Sequence, residues 1–230
     1  PWLARSATYK KRKHRWVMVI DLKRCVGCNS CVVACKAENQ TPPGVNYNVV
    51  MAIPHIGSKD GKPYFLSRPC MQCENPSCTA VCPTGATYQR EQDNIVVIDY
   101  DRCIGCRYCI TACPYGVRQF DFGEDYETVE ETPGAVASPE YREYRSRKAD
   151  QSPIGNVRKC TFCIHLQDEN GEYNKAEGRW PACAKTCTAD AIHFGDLMNP
   201  DDSVHSLLES RGHFRLKEEL GNEPNVYYLS

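Results

Sequence analysis

The sequence has no apolar run near the ~18–20 residues that a membrane-crossing helix requires; the longest early run is Val17 to Ile20. A secretory signal with an apolar centre is also missing at the N-terminus. The chain begins PWLARS, without a methionine, so a targeting segment ahead of it stays open. There is no phosphate-cradling glycine loop, no H-E-x-x-H pair and no triad-like arrangement, which removes the usual signatures of nucleotide, zinc-protease and acyl-transfer chemistry. The six histidines are dispersed. His165 stands two places after Cys163, which is not the C-x-x-C-H of covalent haem, and it reads as structural. The basic stretches lack the interleaved aromatics of a nucleic-acid binder. A net charge of −1, with 41% hydrophobic and 25% charged residues over 230 positions, reads as a soluble, globular chain of one large or two small domains.

What the chain has in excess is cysteine: sixteen of them. That is about 7% of the residues, under the share typical of short disulfide scaffolds but far above ordinary usage. They fall into four groups: Cys25, Cys28, Cys31 and Cys35; Cys70, Cys73, Cys78 and Cys82; Cys103, Cys106, Cys109 and Cys113; Cys160, Cys163, Cys183 and Cys187. The first and third groups are C-x2-C-x2-C-x3-C. The second widens one gap to four residues, and the fourth inserts nineteen residues between two pairs.

Three chemistries compete for this pattern. Disulfides require no regular spacing, and neighbours this close would close strained loops. Structural zinc uses thiolate pairs and does not call for three cysteines in seven residues plus a fourth. The [4Fe–4S] cubane does: three thiolates on one tight loop hold one cluster, and the cysteine just beyond ligates the other cluster of a pair. The spacing therefore predicts four [4Fe–4S] clusters with no cysteine left over. Gly27 and Gly105 sit between the first two cysteines of their loops, where a positive φ lets successive amides point at sulfur. Pro83 and Pro114 follow the fourth cysteines of groups two and three, as in bacterial ferredoxins, whereas Lys36 and Thr188 stand in groups one and four.

The phrase DLKRCVGCNSC (21–31) recurs as DYDRCIGCRYC (99–109), each behind a short apolar strand, WVMVI and NIVVI. Short helices are expected around VVACKAEN and ITACPYG. CPTGATY and CTADAIHF form a second similar pair, so the chain reads as a double ferredoxin, itself duplicated. Sixteen ligating thiolates and four oxidised cores would move the net charge to about −9. Cations are then wanted beside the ligands, where Lys23, Arg24, Arg102, Arg107, Arg158, Lys159 and Lys185 stand.

These groups, together with CMQCENPSCTAVCPTGA, CIGCRYCITACPYGVR, RKCTFC, PACAKTC and the tail EPNVYYL, resemble the four-cluster iron–sulfur subunits of the molybdopterin (dimethyl sulfoxide reductase) superfamily. That family serves polysulfide, thiosulfate, tetrathionate, sulfite and arsenate respiratory enzymes and formate dehydrogenase. The resemblance runs from about Trp16 to Ser230. It implies four ligand sets that cross the chain: Cys25, Cys28 and Cys31 with Cys187; Cys160, Cys163 and Cys183 with Cys35; Cys70, Cys73 and Cys78 with Cys113; Cys103, Cys106 and Cys109 with Cys82. It further implies a non-catalytic electron relay between a molybdopterin catalytic subunit and a quinone-interacting integral membrane subunit. No nucleic acid and no transmembrane segment of the chain's own are involved. Many such subunits are exported with their catalytic partner. The expected place is therefore peripheral on the membrane, at the extracytoplasmic face, with the cytoplasmic face as the alternative. Nitrate reductase relatives replace the middle cysteine of group three by tryptophan, and alternative complex III also lacks it; Cys106 is present here and argues for four cubanes. The remaining alternatives are the iron–sulfur component of a formate dehydrogenase or alternative complex III assembly, a stand-alone polyferredoxin, or a metal-stabilised module without redox function.

The expected architecture is α+β, two ferredoxin-like 2[4Fe–4S] lobes: 1–60 with 154–200 for groups one and four, and 61–120 for groups two and three. Residues 121–153 read as a charged surface insertion or docking surface, and 201–230 as a helix and an extended tail lying along a partner. Asp201 or Asp202 is expected to cap that helix and Gly221 to end it. Tyr9–Arg15 reads as a solvated basic arm that could also reach a membrane surface. DENGEYNKAEGRW suggests a hairpin or turn.

Overall fold

The computed structural model describes residues 12–41, 44–54, 63–122 and 155–230. Its centre is a four-stranded sheet of order β8-β1-β10-β9, formed by β1 (Trp16–Asp21), β8 (Ile192–Asp196), β9 (His213–Phe214) and β10 (Val226–Leu229). β1 runs antiparallel to β8 and parallel to β10. Every residue of β1 is buried, because the strand is covered on both faces. Trp16, Met18 and Ile20 pack with Ile192, Phe194, Val226 and Tyr228 in the main core. Val17 and Val19 turn the other way against Val204, Tyr227 and Leu229. This is the side-to-side alternation of a strand, with apolar residues demanded on both sides.

Three two-stranded ribbons complete the mixed α/β fold: β2 (Val50–Ile53) with β3 (Tyr64–Ser67), β4 (Thr87–Gln89) with β5 (Val96–Ile98), and β6 (Gln119–Phe120) with β7 (Val157–Arg158). The helices are short: α1 (Ser30–Asn39), α2 (Ser77–Ala80), α3 (Tyr108–Thr111), α4 (Ala182–Lys185) and α5 (Ser203–Ser210), with single 3-10 turns at Ile164–Leu166 and Glu218–Leu220.

The repeat in the sequence is a repeat in space. Ile20 pairs with Ile192 and Ile98 with Thr87; each pair joins the residue five before a first cysteine to the residue five after a fourth one. Asp21 N–H donates to the Ala191 carbonyl and Asp99 N–H to the Ala86 carbonyl, both at 2.7 Å. Asp21 then accepts from the N–H groups of Lys23 and Arg24 at 2.9 and 3.2 Å, and Asp99 from those of Asp101 and Arg102 at 3.0 and 3.3 Å. The same aspartate-closed turn delivers both cysteine loops.

Several expectations shift. The helix predicted over 201–220 is only α5: Asp202 caps it by accepting from the Val204 N–H at 3.2 Å. Arg211 is extended and its guanidinium pairs with Asp21, so the chain turns into β9 instead of continuing helically. Gly221 does end a helical turn, the Glu218–Leu220 one, at φ +70°. The tail is extended, but as β10 inside the chain's own sheet, between β1 and β9, and not along a partner.

Of the basic arm, residues 9–11 lie outside the described residues, and the rest is docked. Arg12 is buried on Glu74 at 2.5 Å, Arg15 reaches Glu74 at 3.2 Å and Asn225 at 3.1 Å, and His14 meets Asp196 at 2.7 Å. Most of the charged insertion also lies outside the described residues; its first residue, Asp121, is buried and ion-paired to Arg158 at 3.1 Å. In the 164–182 insertion, a turn at Asp168–Gly171 and a bridge between Asn174 and Arg179 give the expected reversal.

Candidate metal centres

None of the sixteen cysteines is joined in a disulfide. The helices explain how four linear groups become four mixed sets. α1 carries Cys31 and Cys35; Cys183 on α4 is followed by Cys187 just past its end; Cys78 on α2 precedes Cys82; Cys109 on α3 precedes Cys113. Each pair is spaced i, i+4 around a helical turn, one sulfur a turn beyond the other. α1 packs on α4 and α2 on α3, so each helix pair presents two sulfurs at each end.

At the first set, Cys25, Cys28 and Cys187 lie close enough for their charges to act on Cys31. Burial pushes the Cys25 and Cys31 thiols up. Cys28 is exposed and its thiol is lowered to about 7 by the Ser30 hydroxyl, 3.3 Å away, then by the Ser30 N–H and the Thr188 hydroxyl. The Ala191 N–H donates to Cys187 Sγ at 3.2 Å. At the second set, Asn39 Nδ2 lies 3.6 Å from Cys35 Sγ and 3.8 Å from Cys163 Sγ, joining sulfurs 128 positions apart in the chain. Burial is the main cause that raises Cys160 to about 11 and Cys163 to about 12, and it drives Cys183 well above the ordinary value.

At the third set, Cys70, Cys73, Cys78 and Cys113 line about 310 Å³ of space free of protein atoms, with Met71, Tyr115 and Arg118 among the other walls. At the fourth, Cys82, Cys103, Cys106 and Cys109 line about 280 Å³ with Thr84, Gly105 and Arg107. The Thr87 N–H reaches Cys82 Sγ at 3.3 Å. Against burial, it and Thr84 hold the Cys82 thiol low. Cys70, Cys73, Cys78 and Cys113 thus share one space, and Cys82, Cys103, Cys106 and Cys109 another. The sulfurs face a space instead of a point: among the described residues, no three His, Cys, Asp or Glu side chains converge as a single metal ion requires. A tetrahedral zinc would draw its thiolates to about 3.8 Å of one another. The donor chemistry and the room fit a cubane cluster.

The backbone is shaped for the same purpose in all four loops. The residue two past each first cysteine is left-handed: Gly27 at φ +70°, Gln72 at +45°, Gly105 at +67° and Phe162 at +60°. Such conformations turn amides inward, and the Phe162 N–H indeed donates to Cys160 Sγ at 3.4 Å. Two of the four are glycines and readable from sequence; Gln72 and Phe162 are not, because nothing in their residue type signals positive φ. Gly27 and Gly105 are also sterically required. A Cβ at Gly27 would lie 2.4 Å from the Phe65 ring, and one at Gly105 2.2 Å from the Gly155 carbonyl oxygen. Gly105→Ala is therefore expected to cost about 1–3 kcal/mol from left-handed strain alone, plus the clash, and to empty the fourth set. Gly221→Ala, with nothing within 4 Å of its Cβ, is the control that isolates the φ cost. Iron content and thermal midpoint of the two variants measure the difference.

Lys36 explains why the first group differs. Without a proline after Cys35, α1 continues to Asn39 and delivers the amide that binds two sulfurs. Pro83 and Pro114 follow helices that stop at Ala80 and Thr111. Of the seven cations singled out in the sequence, Lys23, Arg24, Arg102, Arg107 and Lys185 are exposed, and only Arg158 and Lys159 are buried. Another buried cation near the sulfurs, Arg118, is not signalled by the sequence because it lies five residues past the nearest cysteine. His165 bonds Glu38 at 2.8 Å, a structural role.

The sets also lie next to one another in succession. The Cys31 charge acts on Cys183, linking the first set to the second. The Cys70 N–H donates to Cys160, linking the third to the second. Arg118 donates to Cys78 of the third set at 3.0 Å and also bonds Cys109 of the fourth. The first and fourth sets, at the two ends, hold the two exposed cysteines, Cys28 and Cys106.

Two family models, each described as a 4Fe-4S dicluster domain, match residues 24–86 and 62–129. One subunit of the selenate reductase of Mesobacillus selenatarsenatis is 51% identical over 226 residues, covering 94% of this chain and 72% of that protein. The iron–sulfur cluster-binding subunit of the menaquinone reductase of Nitratidesulfovibrio vulgaris is 39% identical over 97% of this chain and 92% of its own length. One subunit of the tetrathionate reductase of Salmonella typhimurium is 37% identical over 94% of this chain and 73% of its own length.

Proposed function

Because the chain belongs to the family of iron–sulfur electron-transfer subunits of the dimethyl sulfoxide reductase superfamily, we propose that its sixteen cysteines hold four [4Fe–4S] clusters in a linear relay. Such a subunit carries electrons for a reductase complex and is not its catalytic part. The ligand sets are Cys25/Cys28/Cys31/Cys187, Cys35/Cys160/Cys163/Cys183, Cys70/Cys73/Cys78/Cys113 and Cys82/Cys103/Cys106/Cys109, clusters I to IV in that order. Clusters I and II belong to one ferredoxin-like lobe, III and IV to another; the equal register of Ile20 with Ile192 and Ile98 with Thr87 supports that duplication. The domain limits proposed are 1–60 with 154–200 and 61–120, with β10 of the 201–230 segment lending a strand to the first lobe.

Each cluster, when bound, takes up and returns one electron. The chain's residues do the rest. Thiolates fix the order of the sets, N–H groups at Cys82, Cys160 and Cys187 favour added negative charge on sulfur, and buried walls at clusters II and III keep water from the middle of the relay. The observation that carries the reading is the succession of neighbouring sets from the first to the fourth, with the exposed cysteines only at its ends. Bare apolar residues flank both ends: Val26 and Val33 by cluster I, Ile104 and Tyr108 by cluster IV. They suit docking, at cluster I to a molybdopterin subunit acting on an oxyanion or sulfur compound, and at cluster IV to a quinone-linked membrane subunit. The described residues include no helix long and apolar enough to cross a membrane; the attachment proposed is through that partner, at the extracytoplasmic face. Anaerobic purification is expected to give about sixteen irons per chain and interacting reduced-cluster signals by electron paramagnetic resonance. An iron count near eight would reject the four-cluster reading.

A further inference from the structure

Two buried cations occupy the gaps between successive sulfur sets. Arg118 is 4% exposed and Lys159 1% exposed. Arg118 donates to Cys78 Sγ at 3.0 Å and to Thr87 Oγ1 at 3.3 Å, and it also hydrogen-bonds Cys109. It therefore stands between cluster III and cluster IV. Lys159 donates to the Val96 and Cys160 carbonyls, and its charge reaches Cys160 of cluster II and Cys78 of cluster III. Neither has a carboxylate within ion-pair distance among the described residues, unlike Arg158, which is paired with Asp121. A buried charge without a counter-charge is costly, so the negative charge that balances these two must come from the sulfur sets themselves.

We propose that Arg118 and Lys159 are positioning residues for the electron: fixed positive charges, each shared by two neighbouring clusters, that raise the reduction potentials of clusters III and IV and of clusters II and III respectively. The inference rests on the reading that the four sets hold clusters. One-electron reduction of a set adds one negative charge as the neighbouring set or partner gives up that electron; no bond forms or breaks. A cation in a buried site favours the more negative state of the sets beside it: Arg118 is at hydrogen-bond range of Cys78 and Cys109, and Lys159 bonds the carbonyls of Cys160 and of Val96, which lines the space of the third set. Without such charges, burial alone would oppose reduction most at clusters II and III, the sets most enclosed in the core.

The test is a potentiometric titration of the purified holoprotein followed by electron paramagnetic resonance, with iron counted on the same samples. Arg118→Gln keeps an amide that can bond sulfur but removes the charge. It is expected to shift the one-electron reduction equilibrium of clusters III and IV at least tenfold, about 59 mV downward, and to leave cluster I in place. Arg118→Lys, which keeps the charge, is expected to titrate near the parent. Lys159→Met is expected to lower clusters II and III instead. Full iron occupancy with unmoved midpoints in Arg118→Gln and Lys159→Met overturns this inference while leaving the four-cluster reading intact. So does an Arg118→Lys variant that falls as far as Arg118→Gln, since hydrogen-bond geometry and not charge would then be acting. If neither Arg118 variant loads clusters III and IV, Lys159→Met decides by whether clusters II and III move. A parent protein with far fewer irons than four clusters need sinks the cluster reading itself.

Discussion

Stripping iron from the anaerobic holoprotein with a chelator is expected to abolish its cooperative thermal transition and to flatten its near-ultraviolet dichroism. The reason lies in what the core is made of. Cys31, Cys35, Cys70, Cys73, Cys160 and Cys183 are members of the main buried cluster, with Cys113 and Cys187 packed against it. The elements around them cannot stand alone. Among the described residues the longest helix has ten residues, below the ~12–15 that an isolated helix needs, and three of the four sheets are two-stranded ribbons, which are marginal in water. Metal removal would also leave Arg118 and Lys159 buried opposite neutral thiols, because burial raises Cys78 and Cys109 beside Arg118 and holds Cys160, beside Lys159, at about 11. A removed partner at a buried charge costs about 3–5 kcal/mol, a large part of a domain's stability. Cluster binding is therefore folding free energy here, as in small metal-dependent domains. An apoprotein that keeps a sharp transition within a few degrees of the parent would show that the polypeptide core suffices.

The second large effect is expected from one sulfur on α1. Cys35→Ala should drop the iron count from about sixteen to about twelve per chain and stop quinol-driven turnover of the assembled complex, while viologen-driven reduction of the same catalytic partner persists. In the proposed sets Cys35 is the contribution of α1 to cluster II, whereas Cys31, one turn earlier on the same helix, goes to cluster I. The change therefore breaks the relay at its second step and spares the loop that forms the first. The Cys35 carbonyl still accepts from Asn39 at 2.9 Å, so the helix end keeps its bond. Retention of all four signals, or loss of cluster I along with cluster II, would refute the division of α1 between two sets.

The sequence carried more of the candidate sites than of the scaffold. Cysteine spacing is local, and a loop such as CVGCNSC needs only its own residues to place three sulfurs. Gly27 and Gly105 were legible for the same reason: a missing Cβ is visible in the letter. Arg118, Gln72, Phe162 and Asn39 were not, since each acts through a neighbour distant in sequence or through a backbone angle its residue type does not declare. The tail misled for a related reason. VYYL reads as an extended apolar segment, and only its pairing with Met18–Asp21 tells whether it covers the chain itself or a partner. Arg12 and Arg15 read as a solvated charge run until Glu74 and Asn225 are brought under them.

What the amino-acid order alone determined is the chemistry: sixteen thiols in ferredoxin spacing, repeated behind two apolar strands, commit the chain to iron–sulfur binding and electron relay, because ligand type and loop length are properties of short segments. Tertiary structure decided which sulfur sets are neighbours and which charges lie between them. Which set neighbours which, and which cations are buried between them, depends on α1 lying against α4 and α2 against α3. Those contacts are made by residues far apart in the chain, and no periodicity in any one segment encodes them.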